Sequence, residues 1–455
     1  MSASSASTPE ALEQQFRDFA HPDVPIIPIN GQRATVLSEP TEFYQTLLHE
    51  IRNAKRSIHL STLYIGHAET ELLQALDDAL ARNAQLEVRI LFDGLRGTRQ
   101  RHRGNSPADL FVPLVQRYPQ RVHVALYHTP QLAGWRQRVY PERYNETLGL
   151  MHIKAYVFDG STTIVSGANL SVDYFTQRQD RYVVFREEPQ LARYFTQLLD
   201  VIRRFSYRLE GTPPSSSKYR LVTDEAAPPS NFTTPTDSWV IPSIQMAQLG
   251  LRQDEQYFQH LLRRLDQQAR TDPAGVSAQF TSAYFNFAEP IQRLILDSRA
   301  EFNLIIAAPE ANGFFNARGI SKYVPVAYSD FEYDFYRRAQ RAMQMQPNKR
   351  ITIQEYHRPG WTFHGKGLWF YLGKETTPSI TVLGSSNYGY RSLERDLEAQ
   401  VTLFTTNQKL RQALHTEMMD LRRYTNTVTG DIFTQVGRRV PTWVRMVKPF
   451  IRGFF

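Results

Sequence analysis

The chain carries the same short pattern twice, and this repeat constrains the fold more than any other feature. Each copy is a His-x-Lys triplet with an Asn behind it, His152-Ile-Lys154 with Asn169 and His364-Gly-Lys366 with Asn387. An alternating strand pattern ending in Tyr-His-x-Pro precedes each triplet, at residues 121–130 and 350–359. The repeat therefore predicts two divergent copies of one α/β unit, whose His/Lys/Asn sets face each other across one site.

The two copies continue to agree downstream of each Asn. Asp180 lies eleven residues after Asn169, and Glu398 lies eleven residues after Asn387. Each acid opens a strand-like run that leads into a helical pattern. A chain of 455 residues is too long for one ordinary core and suits two cores of roughly 200 residues each.

The composition along the chain suggests where the domains begin and end. Residues 209–240 carry the Pro, Ser and Thr density of a connector. We therefore predict an N-terminal extension at 1–35, a first domain at 36–208, a second domain at 241–437 and a basic, aromatic C-terminal segment at 438–455.

The overall composition excludes several classes of site. The chain has no cysteine, which excludes disulfides, a thiolate nucleophile and a Cys-based zinc site. It has no apolar run of eighteen residues, so no transmembrane helix is predicted. The N-terminus shows neither a hydrophobic signal core nor an Arg-rich amphipathic presequence. A formal charge of +8 favours an anionic partner, either nucleic acid, a phospholipid surface or a phosphorylated small molecule.

Two basic clusters stand out. The first is a Gly-containing loop that follows a strand pattern and holds Arg96, Arg99, Arg101 and Arg103. Ligands of α/β folds bind at such strand ends, so we expect part of this loop to bind phosphate. The second is the segment 438–455, where cations alternate with Trp, Phe, Ile and Met. It suits the headgroup region of an anionic membrane, and equally a segment packed back on the body.

The paired residues suit one class of chemistry. Two imidazoles, two lysines and two carboxamides, with no carboxylate cluster spaced for a metal ion, predict metal-free phosphoryl transfer. One His attacks phosphorus while the other protonates the leaving group, and the Lys and Asn side chains hold the non-bridging oxygens. Residues i and i+2 of a strand point to the same face, so each triplet delivers a base and a cation together.

These residues resemble the phospholipase D superfamily, whose signature is His-x-Lys-x4-Asp followed by a Gly/Ser-containing turn with Asn. The first copy matches from His152 to Asp159 and at Ser166-Gly167-Ala-Asn169. The segments 167–182, 364–369 and 384–392 resemble, more narrowly, the eukaryotic-type phosphatidylglycerophosphate synthases. The resemblance covers about residues 57–424. It implies an α/β fold of two pseudo-symmetric phospholipase D-like α/β/α sandwich domains that share one interfacial active site.

The resemblance also implies a reaction, in which CDP-diacylglycerol and sn-glycerol 3-phosphate yield phosphatidylglycerol phosphate and CMP. It implies no cofactor and no metal, and a peripheral place on an anionic membrane, the matrix side of the mitochondrial inner membrane. Nucleic acid is not expected as a partner. As in the superfamily, His152 would form a phosphatidyl-histidine, and His364 would act as acid and then as base.

The remaining site residues follow from the same resemblance. Asp180 and Glu398 are expected to orient the histidines, and Asp159 to be structural. The candidates for the substrate groups lie beside the motifs or on the basic loop: Arg178, Arg181, Arg391, Arg395, Ser385, Arg96 and Arg99.

The second copy departs from the signature, because Tyr371 stands where Asp is expected. Whether Glu375 in the following hairpin compensates is left open. A phospholipase D or a phosphatidylserine synthase would share the nucleophile and differ in the acceptor, which is water or serine. A metal-independent nuclease of the superfamily and a binding scaffold with a decayed site are further alternatives. Two intact His/Lys/Asn sets argue against decay.

Overall fold

Two large β-sheets, one built mainly from each half of the chain, form the framework of the protein. The computed structural model describes residues 16–99, 106–132, 145, 148–209, 236–315, 323–435, 438, 440–442 and 444–446. The elements of the first half are β1 (Ile27–Ile29), β2 (Ala34–Leu37), α1 (Pro40–Asn53), β3 (Ser57–Thr62), α2 (Thr70–Arg82), β4 (Glu87–Asp93), α3 (Gly94–Gly97), α4 (Val112–Arg117), β5 (Val122–Tyr127), β6 (Ala155–Phe158), β7 (Thr162–Ser166), α5 (Val172–Thr176), β8 (Arg178–Gln179), β9 (Tyr182–Phe185), α6 (Pro189–Arg204) and β10 (Ser206–Arg208).

The second half repeats the same succession of strands and helices around its motif. They are β11 (Ser238–Met246), β12 (Leu251–Arg252), α7 (Gln253–Thr271), β13 (Val276–Ser282), α8 (Glu289–Asp297), β14 (Glu301–Ala307), α9 (Val324–Met345), β15 (Ile351–Tyr356), β16 (Thr362–Phe363), β17 (Gly367–Leu372), β18 (Ile380–Gly384), α10 (Tyr390–Glu394), β19 (Glu398–Thr405), α11 (Gln408–Arg422) and β20 (Thr425–Thr427). Short 3₁₀ turns lie at Gly31–Arg33, Pro107–Phe111, Pro130–Leu132, Ala247–Leu249, Pro309–Ala311 and Gly430–Thr434.

The strand orders of the two sheets match. The first sheet runs β10-β5-β4-β3-β6-β7-β9-β2, and the second contains β20-β15-β14-β13-β17-β18-β19-β11. In both, three strands are parallel and the fourth turns antiparallel, at β3·β6 and at β13·β17. The strands predicted before each His-x-Lys are β5 and β15. The predicted duplication is therefore confirmed at the level of topology.

The helices and sheets stack in layers because each helix buries one apolar face. Helices α1, α2 and α4 cover the outer face of the first sheet, and α7, α8 and α9 cover that of the second. A third core lies between the two sheets and includes residues of α6 and α11. Leu191, Phe195, Leu198 and Ile202 recur at helical spacing along α6 and are all buried there. The two halves therefore share one apolar interface.

The N-terminal residues differ from the prediction of a separate extension at 1–35. Strand β1 pairs antiparallel with β11, so it belongs to the sheet of the second half. Phe16 and Phe19 pack against Trp239 and Phe404 of that half. Burial of apolar surface holds these residues on the second half. The stretch is too short for its apolar spacing to show this contact in the sequence.

The predicted connector at 209–240 follows β10 and includes the first three residues of β11, and residues 210–235 of it lie outside the described residues. The domain limits therefore stay a prediction. Among the residues that the structure describes, no helix combines the length and the apolar character needed to cross a lipid bilayer.

Candidate active site

A cavity of about 400 Å³ lies where the two halves meet. His152 and Asn169 of the first half and His364 and Asn387 of the second half all line it. The sequence predicted that the two sets would face each other, and the fold brings these four side chains into one cavity. The cavity is large enough for the reacting groups of a phosphodiester substrate, though not for whole lipid chains.

Short parallel contacts between the halves hold the two histidines in place. The His364 backbone N–H donates to the Gln179 carbonyl oxygen at 2.7 Å, and β16 pairs in parallel with β8. The His152 N–H donates to the Leu397 carbonyl oxygen at 2.9 Å, beside a bridge between Met151 and Leu397. Each His is thus fixed to the strand segment of the other half, just before that half's acid.

The two orienting acids also contact the histidine of the opposite half. Nδ1 of His152 lies 2.8 Å from Oε2 of Glu398, and Nδ1 of His364 lies 2.6 Å from Oδ2 of Asp180. Each carboxylate accepts a hydrogen bond from the Nδ1–H of its ring, so Nε2 of each ring is left to react. The sequence predicted orienting roles for Asp180 and Glu398, but it did not predict that each acid serves the histidine of the opposite half.

Glu398 is itself held by two hydroxyl groups. Ser392 Oγ donates to its Oε1 at 2.8 Å, and Ser385 Oγ donates to its Oε2. Ser385 is buried and is absent from the cavity lining. The structure therefore places Ser385 behind Glu398, as a support for that carboxylate, and not at the substrate as the sequence predicted.

Burial sets the protonation of the histidines. Burial, with Lys154 next, lowers the pKa of His152 well below its ordinary value, and burial with Lys366 does the same to the pKa of His364. Burial also raises the pKa of Asp180, to about 6. Both imidazoles are therefore neutral near pH 7, which suits a nucleophile and a general base.

The lysines are buried beside the histidines. Lys154 Nζ donates to the His152 carbonyl oxygen at 2.7 Å, and Lys366 Nζ donates to that of His364 at 2.8 Å. Lys366 Nζ also lies 3.1 Å from Nε2 of His364. Burial lowers the pKa of Lys366 to about 8. Lys366 thus lies against the His364 ring, 2.7 Å from Nδ1 and 3.1 Å from Nε2, while Lys154 is held at the His152 backbone.

The two carboxamides are held differently. Asn169 Oδ1 lies 3.3 Å from the Leu63 backbone N, whose N–H points to it, and 3.4 Å from Thr62 Oγ1, so its NH₂ end is left to the cavity. Asn387 Oδ1 is buried and has no hydrogen-bond partner among the described residues. A buried polar atom without a partner is costly, and a ligand in the cavity can supply one.

Asp159 lies at the far end of β6 from Lys154 and supports the prediction of a structural role. Its carboxylate accepts the backbone N–H groups of Lys55, Arg56 and Ser57, and its φ is 52°. In the second half, Gly373 takes up this turn with a φ of 60° and donates its N–H to Gly275. The first half has the matching backbone bond, from the Asp159 N–H to the Ser57 carbonyl oxygen at 2.8 Å, so the second half keeps this bond and lacks only the carboxylate contacts.

Tyr371 and Glu375 have other partners. The Tyr371 hydroxyl lies 3.1 Å from His415 Nδ1, and Glu375 forms an ion pair with Arg411 at 2.8 Å. Neither lines the cavity. Glu375 therefore does not stand in for the missing acid.

The predicted arginines divide into three groups. Arg96, Arg178 and Arg391 line the cavity. Arg99 and Arg395 are half-buried and do not line it, while Arg101 and Arg103 lie outside the described residues.

Arg181 has a structural environment, contrary to the prediction that it binds substrate. It is 1% exposed, and its guanidinium donates to both carboxylate oxygens of Glu417 at 2.9 Å. It also stacks 3.6 Å over the ring of Trp369. Sequence alone could not separate Arg181 from Arg178, because the two are close neighbours in one motif.

Several cavity residues were missed from the sequence. Aromatic and acidic side chains are prominent among them: Tyr64, Asp173, Tyr174, Tyr284, Tyr328 and Asp396. The segments Ser61–Tyr64 and Thr281–Tyr284 match each other in the two copies, and each ends in a tyrosine. The repeat therefore gave a sequence signal for Tyr64 and Tyr284. The Tyr174 hydroxyl lies 3.2 Å from Nε2 of His364.

One group of side chains has the spacing of a cation site. His152, Asp396 and Glu398 offer atoms within 4.8 Å of one another, a cluster that sequence spacing does not reveal. These atoms already have partners, since Glu398 binds His152 Nδ1 and Asp396 accepts from the Leu150 N–H and from Arg391 Nε. A cation here would compete with those hydrogen bonds.

The described part of the C-terminal segment packs on the body. Arg438 forms an ion pair with buried Glu355, and Arg445 Nε lies 3.3 Å from Asp330 Oδ1. Val444 is buried. This part follows the second of the two alternatives considered from sequence, and residues 447–455 lie outside the described residues.

Comparisons with known proteins agree with this geometry. The family described as cardiolipin synthase, PLD-like domain, matches residues 47–202. The mitochondrial CDP-diacylglycerol–glycerol-3-phosphate 3-phosphatidyltransferase of Gallus gallus is 37% identical over 488 residues, covering 95% of this chain and 85% of its own. The Homo sapiens protein of the same name is 36% identical over 484 residues, covering 95% and 84%.

Among solved structures, a phosphatidylserine synthase of Haemophilus influenzae matches with a TM-score of 0.72. The match covers 97% of each chain at 19% identity, which shows a likeness of fold. Together with the matching sheets, it confirms the expected α/β fold of two phospholipase D-like halves.

Proposed function

Since the chain belongs to the family of CDP-diacylglycerol–glycerol-3-phosphate 3-phosphatidyltransferases, we propose that it transfers a phosphatidyl group from CDP-diacylglycerol to sn-glycerol 3-phosphate. The products are phosphatidylglycerol phosphate and CMP. The observation that carries the proposal is one cavity with two neutral histidines, each bound through Nδ1 to a buried carboxylate of the opposite half.

In the first step, Nε2 of His152 forms a bond to the phosphatidyl phosphorus. The bond from that phosphorus to the oxygen shared with CMP breaks, and the electron pair leaves with CMP. His152 becomes a cationic phosphatidyl-histidine whose Nδ1–H still donates to Glu398, so the carboxylate stabilises the new charge. CMP leaves as a phosphate whose second pKa is about 6, so it needs little proton donation.

In the second step, His364 takes the proton of the acceptor hydroxyl. The acceptor oxygen forms its bond to phosphorus while the bond to His152 breaks, which restores the neutral imidazole. Asp180 stabilises the imidazolium that His364 becomes. The low pKa that burial gives His364 favours this role as base over a role as acid.

The buried cations and carboxamides stabilise the five-coordinate phosphorus. Asn169 and Asn387 line the cavity, and Lys154 and Lys366 are held beside the histidines by their Nζ contacts. Their charge and N–H groups suit the non-bridging oxygens, where negative charge develops.

The acceptor is tested by CMP release. CDP-diacylglycerol in mixed micelles with glycerol 3-phosphate is expected to release CMP, while serine or water in its place releases little. Excess EDTA is expected to leave this rate unchanged, since the residues of the cavity supply the reacting groups. Release that depends on serine would favour a phosphatidylserine synthase, release with water alone a phospholipase D, and DNA cleavage in EDTA a nuclease.

The pH dependence follows from two buried groups. Burial raises the pKa of Asp180 to about 6, so below that pH it gains a proton and no longer stabilises His364. Burial lowers the pKa of Lys366 to about 8, so above that pH its charge is lost. We expect kcat to fall on the acid side of about 6 and on the alkaline side of about 8.

The variant Lys366→Arg tests whether Lys366 causes the fall of kcat at alkaline pH. An arginine keeps its charge throughout this range, so the limb near pH 8 is expected to disappear even if the rate is lower. The measurement is kcat from pH 5 to 10 at saturating substrates. An unchanged alkaline limb in this variant would rule out Lys366 as its cause.

We further propose a peripheral place on the matrix side of the mitochondrial inner membrane. The names of the Gallus gallus and Homo sapiens relatives state a mitochondrial location, which supports the mitochondrion. Phe314 lines the cavity at 38% exposure, and Phe315 beside it is 46% exposed, so apolar side chains are offered to a lipid surface at the cavity. Flotation with anionic but not with zwitterionic vesicles supports the proposal, and failure to float with either contradicts it.

A further inference from the structure

The two halves carry the same ion pair with its charges exchanged. When Asn169 is aligned with Asn387, Asp173 matches Arg391 and Arg178 matches Asp396. Arg178 Nη2 lies 2.9 Å from Asp173 Oδ2, and Arg391 Nε lies 2.8 Å from Asp396 Oδ2. Helices α5 and α10 have the same length at the same alignment. The ion pair therefore occupies matching positions in the two copies, but the acid comes first in the first copy and the arginine comes first in the second.

Each side of the cavity therefore holds one arginine and one carboxylate, in exchanged positions, since all four of these residues line it. The Arg178 guanidinium lies 4.6 Å from the centre of the Tyr174 ring, and the Tyr174 hydroxyl lies 3.2 Å from His364 Nε2. On the other side, Asp396 is within 4.8 Å of the ligand atoms of His152 and Glu398. Arg178 thus puts a cation on the His364 side of the cavity. Asp396, at the equivalent position of the second copy, puts a carboxylate beside His152.

Arg178 is held before any substrate binds. Its Nε donates to Thr362 Oγ1 at 3.0 Å, and Nη2 is fixed by Asp173. Among the described residues, its remaining terminal nitrogen has no hydrogen-bond partner in the structure. Gly313 also lines the cavity, and a side chain there would come within 3.6 Å of Arg178 Nη2. The guanidinium is therefore pre-positioned with a donor left over and open space beside it.

The chemistry of transfer places the acceptor on this side. In an in-line displacement, the entering and leaving oxygens lie on opposite sides of phosphorus. With His152 as the nucleophile, the acceptor must approach from the His364 side. Its hydroxyl then meets His364 Nε2, in the place that the Tyr174 hydroxyl occupies without substrate.

We propose that Arg178 selects the acceptor by binding its phosphate group, and that the charge exchange between the halves is what creates this selectivity. This inference rests on the proposed function, and it names the residue that distinguishes a phosphorylated acceptor from water, serine or glycerol. A guanidinium binds phosphate through charge-assisted, directional hydrogen bonds. An acceptor without phosphate makes no such bonds to that donor.

The first test replaces Arg178 with glutamine and compares two acceptors. We expect kcat/KM for glycerol 3-phosphate to fall about 100-fold, while that for glycerol changes less than about 3-fold. Formation of the phosphatidyl adduct on His152 is expected to continue. The matched control is Arg186→Gln, since Arg186 is also paired, with Glu50, but is absent from the cavity lining.

The second test exchanges the charges in the first half. Asp173→Arg/Arg178→Asp keeps an ion pair but gives it the direction of the second half. We expect this variant to fold, as judged by thermal melting, and to use glycerol 3-phosphate as poorly as Arg178→Gln. Arg178→Lys, which keeps the charge without the guanidinium fork, is expected to recover part of the preference.

Two outcomes overturn the inference while leaving the proposed function intact. One is a wild-type preference for glycerol 3-phosphate that survives in Arg178→Gln. The other is full activity of the charge-exchanged variant, which would show that the ion pair matters and its direction does not. A wild-type enzyme that uses serine and ignores glycerol 3-phosphate would instead refute the proposed function itself.

Discussion

Replacing His152 with alanine is expected to lower the rate of phosphatidyl transfer by about 10⁴-fold or more. The variant loses the nitrogen that bonds phosphorus on the side opposite the acceptor. The remaining cations still bind the diphosphate, so KM for CDP-diacylglycerol should change far less than kcat. The measurement is the rate of CMP release at saturating glycerol 3-phosphate.

The companion variant His364→Ala is expected to lose less, about 10²- to 10⁴-fold in the complete reaction. It keeps the nucleophile and loses the base that activates the acceptor. His357→Ala is the control, because His357 is exposed and does not line the cavity. A His152→Ala variant that keeps more than a tenth of the wild-type rate would exclude His152 as the nucleophile.

The second large effect is on stability. Replacing Arg181 with methionine is expected to lower the free energy of unfolding by about 3–5 kcal/mol. It leaves the carboxylate of Glu417 buried with Trp369 Nε1, at 2.9 Å, as its remaining side-chain donor in the described structure. A buried charge that loses its partner costs more than the ion pair contributes. A urea denaturation curve monitored by tryptophan fluorescence measures the change in the free energy of unfolding.

Two further variants separate this effect from ordinary loss of charge. Arg181→Met/Glu417→Leu removes both charges and is expected to regain much of the lost stability. Arg252→Gln breaks a pair with exposed Glu394 and is expected to cost about 1 kcal/mol or less. If Arg181→Met cost no more than Arg252→Gln, the buried pair could not have the structural role assigned to it.

The repeat was sufficient to predict the duplication and the facing of the two motifs. The order of strands in each sheet follows from the recurrence of strand and helix patterns at matched positions. The His and Asn residues of each set line one cavity, because each triplet lies just before β6 or β17 and each Asn just after β7 or β18.

The pairing between the halves could not be predicted. It depends on contacts that join Gln179 with His364 and Leu397 with His152, which are far apart in the chain. Only the packing of the two sheets decides that Asp180 serves His364 and not His152. For the same reason, β1 could not be assigned to the second sheet.

The choice among the arginines also needed the structure. Arg178 and Arg181 are three residues apart in one motif, and both lie within two residues of Asp180. Strand geometry directs Arg178 to the cavity and Arg181 to the core between the sheets, where it meets Glu417 and Trp369. A residue spacing alone does not show which face of the sheet is covered.

The missing Asp of the second copy is explained by local structure. Asp159 ties the turn after β6 to the start of β3, far from the reacting groups. The second half keeps the backbone bond of this turn, from the Gly373 N–H to Gly275, and His364 keeps its own acid, Asp180.

The central claim is that His152, and not His364, carries the phosphatidyl group. The most direct measurement is to incubate each alanine variant with CDP-diacylglycerol labelled in the phosphatidyl group and without acceptor, and then to locate the label by peptide mass spectrometry after an alkaline quench. His364→Ala is expected to carry a phosphatidyl adduct on His152, and His152→Ala is expected to carry none. An adduct on His364 in His152→Ala, with none on His152 in His364→Ala, would reverse the assignment of nucleophile and base.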